Sequence, residues 1–169
     1  MKALATSFTL SLALAVVSPA MAQASQSHAH HPTAAPSPDV DVPAAAEAAV
    51  AVAERFNTAL SSGDLTTVEA LLAADVLILE SGGAERSREE YMGHHAASDA
   101  AFLKGAHRQL LRQRARTAGE FAWVGTESEL HAQKDGKPLT VQSAETMVLK
   151  QTTDGWRIVH IHWSSRTKR

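Results

Sequence analysis

His160 and His162 stand two residues apart in Gly155-Trp156-Arg157-Ile158-Val159-His160-Ile161-His162-Trp163-Ser164-Ser165-Arg166, a stretch alternating at strand period. At a rise of roughly 3.3 Å per residue, their rings share one sheet face about 6.6 Å apart along the strand. Two imidazoles so placed can act as one unit, either moving protons near neutral pH or ligating a metal ion. A metal reading takes His160 and His162 with His107 as the third ligand, or with His94, His95 or Glu80 in its place. Such a thiolate-free set suits Zn²⁺ or Cu²⁺, and Ni²⁺ by the same chemistry. The chain has no cysteine, which excludes thiol catalysis and cysteine-held metals.

A carboxylate joins this list from the preceding segment. Along Leu139 to Gln151, one face carries Val141, Ser143, Glu145, Met147 and Leu149, and the other Thr140, Gln142, Ala144, Thr146, Val148 and Lys150. The first face is the more apolar and is assigned to the interior. Glu145 is then an acid in an apolar lining, where desolvation raises its pKa and suits it to proton transfer or cation binding. A metal-free site would use Glu145, His162 and Tyr91 as its chemical groups. Met147, Trp163, Phe102, His95 and Trp156 would wall a small organic ligand. On the last segment, Val159, Ile161 and Trp163 oppose Ile158, His160, His162 and Ser164. Hydrophobicity puts the first set inside and the histidines outward, where a partner subunit could cover them. The opposite assignment builds a polar pocket from both histidines, Ser164 and Glu145, facing Tyr91 and His95.

The elements that must position these groups read as helices first and strands afterwards. Ala49, Val52, Ala53, Phe56, Ala59 and Leu60 recur at helical spacing, and Gly63 is placed to end that helix. Asp64 caps a shorter helix burying Leu65, Val68, Leu71 and Leu72. Val76 to Leu79 is a brief buried strand, and Ser81-Gly82-Gly83 turns the chain. Ser87 with Glu90 forms a capping box that opens a helix running to about Lys104, with Tyr91, Ser98, Ala101 and Phe102 on its inner stripe. Strands follow over His107–Thr117, Glu120–Ala132, Leu139–Gln151 and Trp156–Ser165, with Asp135-Gly136 and Asp154-Gly155 as hairpin turns. The order predicts an α+β domain in which an antiparallel sheet wraps over helices.

Residues 1–22 read as a secretory signal: Lys2, an apolar core over Phe8–Val17, and Ala20-Met21-Ala22 before a cleavage point at Gln23. The core is about half the ~20 residues needed to span a bilayer. The expected product is periplasmic or secreted, with no membrane association after cleavage. Residues 23–43 form a Pro/Ala-rich linker carrying His28, His30 and His31, a tract able to catch metal ions. The ordered domain is expected over residues 44–169. Net charge is −2, which excludes a general nucleic-acid binder. Arg108, Arg112, Arg114 and Arg116 share one predicted strand face, as a solvated surface, a subunit contact or an anion-attracting rim.

The element order, closing with Glu145-Thr146 and Asp154-Gly155-Trp156-Arg157-Ile158-Val159-His160-Ile161-His162-Trp163-Ser164, resembles the nuclear transport factor 2-like superfamily. It is most similar to the SnoaL-like and ketosteroid-isomerase-like branch, and the ending also resembles the association domain of calcium/calmodulin-dependent kinase. The resemblance runs from Ala44 to the C-terminus. It implies a cone-shaped, cystatin-like fold around a pocket, usually in a homodimer, and a residue at the Trp163 position pointing into that pocket. Steroid isomerases of this type use an aspartate base and a Tyr/Asp donor pair; Tyr91 is the one tyrosine, and no position-by-position match to that set appears. Three expectations stay open. The first is a small-ligand pocket with isomerase- or lyase-type acid–base activity, the second a transition-metal binder using His160 and His162. The third is a non-catalytic homodimeric module.

Overall fold

The computed structural model describes residues 37–168. The leader and the His28–His31 tract lie outside the described residues. Order begins earlier than the expected boundary at residue 44: Asp39–Asp41 is a strand, β1, paired in parallel with β4 (His107–Ala118). The linker reading of 23–43 is corrected there, because charge does what composition did not reveal. Arg112 and Arg114 bond the Asp39 carboxylate, at 3.2 and 2.7 Å, and Arg116 bonds Asp41 at 2.7 Å. These guanidinium groups hold both carboxyls below their usual range.

Helix α1 spans Glu47–Ser62 and buries Ala49, Ala53, Phe56, Ala59 and Leu60, the predicted stripe. Gly63 ends it at φ 80°, and Asp64 caps α2 (Leu65–Leu71) by accepting from the Thr67 amide at 3.0 Å. Strand β2 (Leu72–Glu80) turns through Ser81 and Gly82, both at positive φ, into β3 (Gly83–Glu85). Ser87 accepts from the Glu90 amide, as the capping box requires. The helix it opens is interrupted at His95, giving α3 (Arg88–His94) and α4 (Ala96–Lys104) rather than one rod. The interruption re-aims the inner stripe: Tyr91, Ala96 and Ala100 are buried, whereas Ser98 and Ala101 are exposed.

The long strands match the predicted ones, and β5 (Phe121–Lys134), β6 (Lys137–Thr152) and β7 (Gly155–Thr167) continue the antiparallel run from β4. The sheet order is β1-β4-β5-β6-β7-β2-β3. It is mixed rather than wholly antiparallel, since β1 joins β4 and β2 joins β7 in parallel. The helices pack on one face, around Phe56, Leu60, Tyr91, Met147, Ile158 and Ile161.

Two irregularities decide which side chains face that core. Val148 pairs with His160 and Leu149 with Ile158, so Val159 is an extra residue. Ile158 and Ile161 therefore both point inward and are fully buried. Regular alternation had put Val159 inside and Ile158 outside; the bulge turns Ile158 inward and leaves Val159 half-buried, outside the core cluster. A second bulge skips Leu111 between Leu110 and Arg112. It sends Arg108 to the inner face and Arg112, Arg114 and Arg116 to the outer one, so the four arginines do not share a face.

Charged substitutions test the bulge directly. Ile158→Asp and Ile161→Asp should each unfold the domain, at a cost above about 4 kcal/mol for an unpaired buried charge. Val159→Asp should stay within about 1 kcal/mol of the parent in urea denaturation. A regular strand would give the reverse order for positions 158 and 159.

Candidate functional site

The sheet register lays the inner face out as cross-strand rows. The deepest is Val124, Met147, Ile161 and Ile78, all buried and apolar. Next comes Thr126, Glu145, Trp163 and Glu80, then Ser128, Ser143 and Ser165, then Leu130 beside Val141. With strands roughly 4.8 Å apart, Glu145 and Glu80 flank Trp163 about 10 Å from each other. The last three rows, Thr126 apart, together with Asn57 and Leu60 of α1 and Asp99, Phe102 and Leu103 of α4, enclose a cavity of about 510 Å³. Leu139, Gln133 and Lys134 of the β5–β6 hairpin stand at its rim. Polarity is thus graded from an apolar floor, through an acid and a hydroxyl row, to a mixed mouth where Leu130, Val141 and Leu139 stand with Gln133 and Lys134.

Glu145 is the best-anchored polar group there. Its Oε1 accepts from the Asn57 amide nitrogen at 3.1 Å and its Oε2 from the Trp163 indole N–H at 2.7 Å. Burial pushes its pKa above the ordinary value of 4.5, and outweighs both hydrogen bonds and the pull of Arg108. Trp163 is itself fixed by Phe56 and Tyr91, with ring centroids 6.4 and 6.2 Å away. A second acid on the wall, Asp99, accepts from the Tyr91 hydroxyl at 3.1 Å, and burial raises its pKa too. Arg108 reaches the cavity from β4 and bonds Glu54 through Nη1 at 3.0 Å. Gln113 bonds the other Glu54 oxygen at 2.6 Å.

Of the residues singled out from sequence, Glu145, Trp163 and Phe102 line the cavity. Met147 does not: it is fully buried in the apolar floor. Trp156 packs at the edge of that core rather than on the cavity. Tyr91 is completely buried, its hydroxyl spent on Asp99, so it can position that acid but not touch a ligand. Burial drives its phenol pKa far up. His95 lies off the cavity, with Nδ1 against the Glu85 carboxylate. His162 and His160 point to the outer face, where His160 Nδ1 meets the Leu77 carbonyl at 2.8 Å. They are therefore not partners of Glu145.

The trio of His160, His162 and His107 is not one metal site either. Strand β4 is three strands from β7, about 14 Å across the sheet. His107 instead stacks on His131 at 6.1 Å. Sequence reasoning passed over Asn57 and Asp99, and it grouped Arg108 with three arginines of the outer face instead of placing it at the cavity. Asp99 carried a faint signal, eight residues after Tyr91, but the break at His95 hides such helical spacing. Arg108 was hidden by the bulge at Leu111.

A curved mixed sheet closed over helices around an acid-bearing cavity defines a cone-fold pocket protein of the nuclear transport factor 2-like, cystatin-like class. The chain belongs to the SnoaL-like domain family, whose model matches residues 49–167. A candidate ketosteroid isomerase from Shewanella frigidimarina is similar at 34% identity and TM-score 0.66, over 75% of this chain and 99% of its own. A candidate calcium/calmodulin-dependent protein kinase II association domain from Xanthomonas campestris shares 24% identity at TM-score 0.61, over 77% and 95%. A CaMKII hub from S. rosetta shares 20% at TM-score 0.59, over 71% and 95%. The last two likenesses are of fold alone. Among curated proteins there is no match.

The raised pKa of Glu145 has a stability consequence of definite sign. The acid form is favoured by the fold, so its contribution is full at low pH and is lost as pH rises from about 4.5 through the elevated folded value. Denaturation of the parent and of Glu145→Gln across pH 4 to 8 should show the parent losing ground relative to the variant as pH rises. A constant difference would mean that Glu145 is not desolvated.

Proposed function

We propose that this chain is an exported pocket protein that takes up a small, mainly apolar organic molecule and exchanges a proton with it through Glu145. One observation carries this reading. An acid with a raised pKa is clamped by two N–H donors on the wall of a cavity of about 510 Å³ that Leu60, Phe102, Leu103, Leu130 and Val141 also line. That volume is in the range of small-molecule sites. Asn57 and Trp163 fix the carboxyl without using up its remaining lone pairs, and the elevated pKa brings it nearer to the working range of a general base. Asp99, held by Tyr91, supplies a second titratable oxygen on the same wall. Two acids in one cavity permit removal of a proton at one position and return at another, the logic of an isomerase or lyase. The likeness to a candidate ketosteroid isomerase at 34% identity is in keeping with this.

The test uses Trp163 fluorescence, titrated with a panel of cyclic enones and aromatic phenols. At least one compound should bind saturably, with Glu145→Gln and Phe102→Ala each weakening it about tenfold or more. Deuterium uptake at the carbon beside the bound carbonyl, followed by NMR, should be lost in Glu145→Gln. His160→Ala/His162→Ala should change neither. Absence of saturable binding, or indifference to Glu145→Gln, overturns the proposal.

The outer sheet face supports a homodimer as the working state. Trp123, Val148, His160 and Leu77 form a cross-strand row there, with Trp123 42% and Leu77 39% exposed. Exposed aromatic and aliphatic groups on a sheet face are costly unless covered. Similar folds include a kinase hub and association domains, which assemble. Light scattering should give a dimer for the parent and a monomer for Trp123→Glu/Leu77→Glu. Export is proposed from residues 1–22; the mass of the secreted product should place its N-terminus at Gln23.

A further inference from the structure

The β2–β3 hairpin brings two glutamates to one place. Ile78 faces Glu85 across the turn, so Glu80, two residues on, is Glu85's diagonal neighbour. His95, at the break between α3 and α4, completes the group: Glu80, Glu85 and His95 each offer a ligand atom, and these lie within 4.8 Å of one another. Among the described residues no other such trio forms.

Glu85 supplies an independent observation. Its side chain is only 3% exposed, and while one oxygen meets His95 Nδ1, Oε2 is fully buried without a hydrogen-bond partner. A buried carboxylate oxygen left unpartnered is expensive, and proteins seldom retain one without cause. The Glu80 carboxylate has no hydrogen bond among the described residues, and its one close basic neighbour there is His95 Nδ1 at 3.8 Å. Asp99 adds a third acid close enough to raise the Glu80 pKa, after burial itself. One imidazole therefore faces the carboxyls of Glu80, Glu85 and Asp99, with the Tyr91 hydroxyl committed to Asp99. An ion pair between His95 and Glu85 alone would leave Oε2 and Glu80 unanswered. A divalent cation answers both.

We propose that Glu80, Glu85 and His95 form a binding site for a divalent transition-metal cation. Two carboxylates and one imidazole form a mixed hard and borderline donor set, suited to Zn²⁺ or Mn²⁺. His95 is 49% exposed, so the ion has an open approach from solvent, while Glu85 anchors it from within. Glu80 also lines the cavity, so the cation stands beside the pocket, on the Asp99 side. The site is separate from the outward His160 and His162, and it stands whether or not Glu145 proves reactive.

The experiment is calorimetric titration of the full chain with Zn²⁺ and, separately, Mn²⁺ at pH 7. The background is His28→Ala/His30→Ala/His31→Ala, which removes the other imidazole tract. One ion per chain should bind, Zn²⁺ more tightly than Mn²⁺. His95→Ala and Glu85→Gln should each weaken binding at least tenfold. His160→Ala/His162→Ala should leave it unchanged. Because Glu85 is buried and its variant could misfold, the exposed His95 variant is decisive. No one-to-one binding, undiminished affinity in His95→Ala, or loss on removing His160 and His162 would overturn the proposal.

Discussion

The hydrogen bond from the Trp163 indole to Glu145, 2.7 Å long, is the point on which the rest of this structure turns. The indole ring is packed between Phe56 of α1 and Tyr91 of α3. Its nitrogen then has one direction left, toward the neighbouring strand. The same residue thus ties the helices to the sheet and aims the acid into the cavity. A donor to the carboxylate lowers the cost of keeping a charge there, but burial still prevails. The outcome is an acid that is both fixed in place and displaced from its ordinary pKa, two conditions that a proton-transfer site needs together.

The sheet provides a layered floor only because its register is broken twice. The bulge at Val159 lets Ile158 and Ile161 both enter the core, and so sets Trp163 and Ser165 on the cavity side. The bulge at Leu111 turns Arg108 inward while leaving Arg112, Arg114 and Arg116 outside to hold β1. An extra residue in one strand reverses every side chain beyond it. Neither bulge needs a special residue type, since Val159 and Leu111 are ordinary strand formers.

The functional groups thereby separate into three zones. Glu145, Asn57 and Asp99 address the cavity; Glu80, Glu85 and His95 gather at the hairpin beside it; His160 and His162 lie on the outer face with Trp123 and Leu77. Glu80 belongs to the first two zones at once, through its place beside Trp163 in the register. Proton chemistry and cation binding can share a wall without sharing their main groups.

Much of this was legible from sequence because it is local. Helix caps at Asp64 and Ser87, the end of α1 at Gly63 and the turn at Asp135-Gly136 each depend on a few neighbouring residues and fall where read. The apolar face of β6 was also readable, which put Glu145 inside. Tertiary structure alone decided the rest. Tyr91 and His95, on either side of the break in the third helical segment, both lie off the cavity, and the bulges chose between Ile158 and Val159 and among the four arginines. The pairing of β1 with β4 converted apparent linker into edge strand. Each of these outcomes depends on partners beyond the local window, from 10 residues away at His95 to 75 at Arg114, and a period-2 or period-3.6 pattern contains no information about an extra residue that packing elsewhere makes favourable.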